Sequence, residues 1–88
     1  MAKVRILFKI MPDEVDKGTD IIIEQIKELS LEKNFSVLDT KMEDIAFGIK
    51  AIKILISAEE SAGTEDIETR ITNLENVGSV EILGMTRV

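Results

Sequence analysis

The sequence predicts an α+β protein of the ferredoxin-like class, a βαββαβ sandwich with a four-stranded antiparallel sheet and two helices on one face. Two periodicities and their order predict it. Apolar residues alternate through Lys3 to Met11 and again from Ile52 to Ile56, the period-two mark of a strand. They recur at helical spacing through Ile22, Ile26 and Leu29, and through Ile67, Ile71 and Leu74. The resulting order is strand, helix, strand, strand, helix, strand, which is the split βαβ arrangement. The right-handed crossover rule then puts the first and third strands in the middle of the sheet.

In the opening strand Val4, Ile6, Phe8 and Ile10 share one face and Lys3, Arg5, Leu7 and Lys9 the other. Pro12 ends it, because proline has no amide proton for the ladder. A polar turn follows, and Thr19 or Asp20 can cap the first helix. Ile21 and Ile23 widen its apolar stripe, and it should fray between Ser30 and Asn34. Phe35 to Glu43 is a second strand of weaker alternation: Phe35 and Val37 have one parity, Leu38 and Met42 the other. Its inward face is open at this point, and its mixed character suggests an edge. Asp44 to Gly48 connects to the third strand, Ile49 to Ala58, where β-branched residues at every second position suit a buried pleated surface. Ala58 to Gly63 reads as a polar loop. Thr64 is the expected cap of the second helix, with Glu65 and Asp66 in the first turn, where the helix dipole favours them. The helix is expected to stop around Asn76 to Gly78, before a last strand in which Val80 and Ile82 alternate with Glu81 and Leu83 and which reaches Arg87.

The chain has 88 residues, 44% hydrophobic and 32% charged, which fits one soluble domain spanning 1–88. No apolar run is long enough for a membrane span, and no signal peptide is visible. The absence of cysteine and histidine removes thiolate and imidazole chemistry together and fits a cytoplasmic setting. The net charge of −6 argues against direct nucleic-acid binding and suits a partner with a basic surface. No nucleophile elbow or glycine-rich phosphate loop is present. Asp13, Glu14 and Asp16 form a small acidic cluster without the spacing of a calcium loop, so no metal and no cofactor are expected. With both helices on one face, the other sheet face is uncovered. Lys3, Arg5, Leu7 and Lys9 would lie there beside Ile49, Ala51, Lys53 and Leu55, with Leu83 and Met85 next to Glu81 and Arg87 from the last strand. That mixture of basic and apolar residues suggests an interaction surface.

Three features carry a resemblance: the split βαβ pattern over the whole chain, the segment Ile45-Ala46-Phe47-Gly48-Ile49 with Ala51 entering the third strand, and a basic penultimate residue, Arg87. Together they resemble the archaeal elongation factor 1-beta family, the guanine nucleotide exchange domain for elongation factor 1-alpha. The resemblance implies a task without catalysis of its own: promoting exchange of GDP for GTP on that GTPase, with no catalytic residues and no cofactor. By position it carries over Phe47, Gly48, Lys50 and Arg87 as partner-binding residues. In eukaryotic relatives a Phe-Gly or Tyr-Gly tip touches the GTPase, and a lysine before the C-terminus acts near its magnesium and phosphates. Two positions depart from the pattern: Asp44 stands where relatives commonly have proline, and Arg87 where eukaryotic relatives have lysine. Read from the residues alone, Phe47 fits a core aromatic at the base of a loop better than a contact, and Arg87 fits a frayed tail as well as a contact. A second class of function also stands at this stage, a regulatory or small-molecule-binding ferredoxin-like module that dimerises through its open sheet face. The oligomeric state is open.

Overall fold

The structure, a computed structural model, describes residues 3–13, 19–33, 35–46, 49–74 and 77–87. Its strands are β1 (Lys3–Pro12), β2 (Phe35–Ala46), β3 (Ile49–Glu59) and β4 (Val77–Arg87), and its helices α1 (Thr19–Lys33) and α2 (Thr64–Thr72). The four strands form one antiparallel sheet in the order β2-β3-β1-β4, so β1 and β3 are central, as the crossover rule requires. Pairing of β1 with β3 sets Ile6 opposite Ile56, Phe8 opposite Ile54 and Ile10 opposite Ile52. All six are fully buried, because partners across a ladder share a face and this face lies under the helices. Ile22, Ile26 and Leu29 of α1 and Ile67 and Ile71 of α2 close the core from above. Each such side chain contributes about 1.5–3 kcal/mol by leaving water. Ile23 and Leu74 pack at its margin, but Ile21 is exposed, so the stripe on α1 widens on one side only.

β2 joins both of its apparent parities on one face. Val37 pairs with Ile56, and the next paired residue is Asp39, opposite Leu55. Leu38 is the extra residue of a bulge, so Phe35 and Val37 before it share the helix side with Thr40 and Met42 after it. The strand also runs on past Glu43. Asp44 pairs with Lys50 and Ala46 with Ile49, so Asp44 is a ladder residue rather than part of a loop.

A second bulge corrects the expectation for β4. Leu7 pairs with Gly84 and Phe8 with Ile82, which leaves Leu83 unpaired. Beyond it the parity is inverted: Met85 pairs with Ile6 and Arg87 with Val4, both helix-side residues. Met85 and Arg87 are therefore not on the open face. Gly84, Thr86 and Glu81 are, opposite Leu7, Arg5 and Lys9. Ala51 faces the open side as expected, yet it is covered, a small side chain paired with the longer Glu43.

Helix α2 begins one residue earlier in its capping than Thr64 implies. Gly63 is the cap, at φ 81°, and no side chain caps the helix. The Gly63 carbonyl accepts from the amides of Asp66 and Ile67. A left-handed residue here turns the chain out of the 3₁₀ turn Glu60–Ala62, which the sequence suggests as part of a polar loop, and only glycine adopts it without strain. The helix ends at Thr72, not at Asn76 to Gly78. Gly78 belongs instead to β4, where a Cβ would come within 3.0 Å of the Asp13 Cα and the Pro12 carbonyl oxygen. For α1, Thr19 is already the first helical residue, and its cap lies outside the described residues. No helix among the described residues is long and apolar enough to cross a membrane.

Candidate functional site

At one end of the sheet, β2 and β3 stay paired as far as Ala46 and Ile49. The two chain positions between them are Phe47 and Gly48, which lie outside the described residues. Lys50 is exposed, and alternation with Ile52 puts it on the helix side. The ladder is irregular between Asp44 and Ala46, which leaves Ile45 unpaired and 42% exposed. Met42 is also exposed although it pairs with the buried Ile52. Ile45 and Met42 thus add apolar surface beside the 47–48 connection. The sequence hinted at this only through the change of parity in β2.

Arg87 lies at the other end. β4 runs antiparallel to β1, so its last residues stand beside Val4 and Arg5, and β3 ends there too, with Lys3 opposite Glu59. The Arg87 guanidinium donates from Nη2 to Oε1 of Glu60, 2.5 Å away, the first residue after β3. The Arg87 side chain is 75% exposed and that of Glu60 43%. Arg87 is therefore not a free tail cation, and Glu60 is not a solitary loop carboxylate.

The strands keep these two groups apart. From Ile49 to Glu59 the chain takes ten steps along β3, and at about 3.3 Å per step this is roughly 33 Å. The molecule is 43 Å along its longest axis, so the ends of β3 are close to the ends of the protein. Lys50, with the 47–48 connection, and Arg87 do not meet in one cleft. A single partner that touches both must extend along the domain. Among the described residues no group of acidic side chains could hold a metal ion, and Glu14 and Asp16 of the N-terminal acidic cluster lie outside them.

One carboxylate is tuned by its surroundings. Glu43 accepts a short contact from the Lys53 ammonium, 2.5 Å from Oε2. That hydrogen bond lowers the Glu43 pKa, the lysine's charge adds to it, and Lys9 contributes a little more. Both partners sit on the open face, so this is a surface pair rather than catalytic machinery.

The described residues form a small split βαβ domain with Lys50 and Arg87 exposed at the two ends of its sheet. Residues 5–88 match the family model of the EF-1 guanine nucleotide exchange domain, and the chain belongs to that family. Elongation factor 1-beta of Aeropyrum pernix is 37% identical over 90 aligned positions, covering 100% of this chain and 99% of the relative. The Thermofilum pendens protein of the same name is 33% identical, covering 99% of this chain and 97% of its own length. These relatives give the chain a role in translation elongation, within a family of nucleotide exchange factors. Among solved structures, the designed protein Foldit4 superposes with a TM-score of 0.71 at 17% identity, covering 96% of both chains. The C-terminal domain of MgtC from Mycobacterium tuberculosis gives 0.71 at 6% identity, covering 97% of this chain and 87% of its own. At those identities the likeness concerns the fold alone.

Proposed function

We propose that this domain promotes exchange of GDP for GTP on elongation factor 1-alpha in the cytoplasm, by holding the GTPase at both ends of its sheet. The observation that carries the reading is the family match over residues 5–88, joined to the placement of the candidate residues. Phe47 and Gly48 at the β2–β3 connection, with Lys50 beside them, form the anchoring contact. An aromatic residue in this connection, next to a strand end where Ile45 and Met42 are exposed, is the kind of apolar anchor that dominates interfaces. Arg87, some 33 Å away by the length of β3, brings a positive charge to the magnesium and phosphate region. There a cation placed in a drier setting acts far more strongly than in water.

The mechanism needs no bond chemistry in this chain. An exchange factor lowers nucleotide affinity while bound, and linkage makes the effect reciprocal: nucleotide weakens the factor's own binding by the same ratio. The rigid β3 ladder suits this, because it fixes the spacing between anchor and cation and so transmits position from one end to the other. Calorimetric titration of elongation factor 1-alpha tests the reading. The domain is expected to bind the nucleotide-free form more tightly than the GDP-loaded form, by the same factor by which it weakens GDP. Equal affinity for the two forms would remove any basis for exchange.

A further inference from the structure

We propose that Ile82 and Met85 on β4 make a second apolar contact with the GTPase, beside Arg87. The inference rests on the exchange reading for the identity of the partner; the surface itself comes from the strand registers. The sheet has two edge strands, β2 and β4. Long edges invite pairing with other chains, and charged side chains guard against it. β2 carries Asp39, Lys41, Glu43 and Asp44, whereas β4 carries Glu81 and Arg87 alone. Yet β4 is exposed at every residue from Glu81 to Arg87. Ile82, Leu83 and Met85 are the large apolar residues in that stretch. Single exposed apolar side chains need no explanation, but three on one sparsely charged length of edge mark a contact surface.

The register puts them in order. Ile82 stands opposite Phe8, Met85 opposite Ile6 and Arg87 opposite Val4. Those three partners are alternate residues of β1, so Ile82, Met85 and Arg87 form one line on the helix side, in steps of roughly 7 Å. Leu83 bulges out between the first two. Earlier in the strand Val77 and Val80 pack against the core, so the exposed line begins where that packing ends. At the other end of the sheet Met42 stands in the same relation to Lys50: it is exposed and pairs with Ile52, two residues along the same face. Each end thus presents a cation with an exposed methionine inboard of it.

The occupant follows from the bulges and from Arg87. Gly78 and Leu83 are both left out of the ladder, which interrupts the row of free backbone groups along this edge. A second strand, from another copy or from a partner, would find no continuous ladder to extend. The contact is therefore made by side chains, and the unbranched, polarizable Met85 suits a surface to which it must adapt. In the exchange reading Arg87 meets the magnesium and phosphate region of the GTPase. Whatever receives Arg87 then lies within roughly 7 Å of Met85 and 14 Å of Ile82 along the line. The matching feature on the GTPase is an apolar depression beside its anionic site.

The test uses the full chain with carbon-13 in its methionine methyl groups, titrated with nucleotide-free elongation factor 1-alpha, and release of a fluorescent GDP analogue. The Met85 methyl signal is expected to shift or broaden as the GTPase is added. Met85→Gln keeps the length of the side chain and removes its apolar character. It should raise the domain concentration that gives half-maximal acceleration by about fivefold or more, with the maximal acceleration kept, whereas Arg87→Met lowers the maximum. Ile82→Thr should act in the same direction as Met85→Gln, and Met85→Leu should behave like the intact domain. Leu38→Gln, the same change at the bulge of the other edge, should alter neither quantity. Met85 is 50% exposed, so its variants should melt near the intact domain. A Met85 signal that stays in place while calorimetry shows the GTPase binding would overturn this contact and leave the exchange reading standing. So would an unchanged half-maximal concentration for Met85→Gln. Movement of the Met85 signal without any acceleration of GDP release would support the contact and overturn the exchange reading. No binding at all would overturn both. Self-association of the domain that Met85→Gln abolishes would give the surface to a second copy and overturn the proposal.

Discussion

The contact between Arg87 and Glu60 makes a prediction that separates two roles for the guanidinium. If Arg87 serves a partner, it must leave Glu60 or share it. The pair is exposed on both sides, 75% and 43%, and such pairs are worth about 0–1 kcal/mol. Releasing Arg87 in Glu60→Gln is therefore expected to change the melting temperature by no more than about 4–8 °C. The same energy bounds the functional gain. If the pair competes with the partner, Glu60→Gln should raise stimulated GDP release by up to about fivefold, since 1.4 kcal/mol corresponds to tenfold. Arg87→Met should lose most of the stimulation with an equally small change in melting. The double variant should behave like Arg87→Met, because Glu60 acts only through Arg87. The assay is release of a fluorescent GDP analogue from elongation factor 1-alpha, run beside thermal unfolding of each variant. A Glu60→Gln protein as inactive as Arg87→Met, with unchanged melting, would refute the competition: Glu60 would then be holding Arg87 in its working position.

Other expected outcomes follow from the packing and the charges. Ile54 is fully buried opposite Phe8, so Ile54→Ala should cost about 2–5 kcal/mol in denaturant unfolding, and Ile54→Asp should not fold; a native-like transition for the latter would refute the register. Gly78→Ala would drive a methyl against the backbone of Asp13 and Pro12, at 3.0 Å from each, and should destabilise by roughly 1–3 kcal/mol; unchanged unfolding would mean the strand ends yield freely. Glu43 has its pKa lowered in the fold, first by the hydrogen bond from Lys53, so its contribution is present above the ordinary carboxylate range and lost as pH falls through the lowered value. Carbon-13 titration of its carboxyl group should show a midpoint that rises in Lys53→Met, and an unmoved midpoint would contradict the assignment.

The parts of this fold legible in the sequence are those set by unbroken periodicity. The alternations of β1 and of Ile52 to Ile56 lie on buried central strands, where slipping by one residue would expose every isoleucine, so pattern and structure agree. The edge strands carry bulges at Leu38 and Leu83, and a bulge is a property of two paired strands that neither shows alone. That is why Met85 and Arg87 were expected on the wrong face. The cap of α2 is Gly63 rather than Thr64, because Thr64 has the favoured side chain but Gly63 has the backbone conformation the turn requires. The Phe47-Gly48 segment is legible through its composition and the family resemblance. The pairing of Arg87 with Glu60 joins residues 27 apart in the chain, and the separation of the two ends appears only once β3 is laid out as a single straight ladder.

The most direct measurement of the central claim is stopped-flow release of a fluorescent GDP analogue from elongation factor 1-alpha, with the intact domain, Phe47→Ala, Arg87→Met and the double variant. If the two ends contribute independently to the grip on the GTPase, the losses in free energy of the single variants should add within about 0.5 kcal/mol. The account predicts acceleration by the intact domain, a several-fold loss in each single variant with its fold retained, and the product of those losses in the double. No acceleration by the intact domain would contradict the function, and full activity of the double variant would contradict the grip at both ends of the sheet.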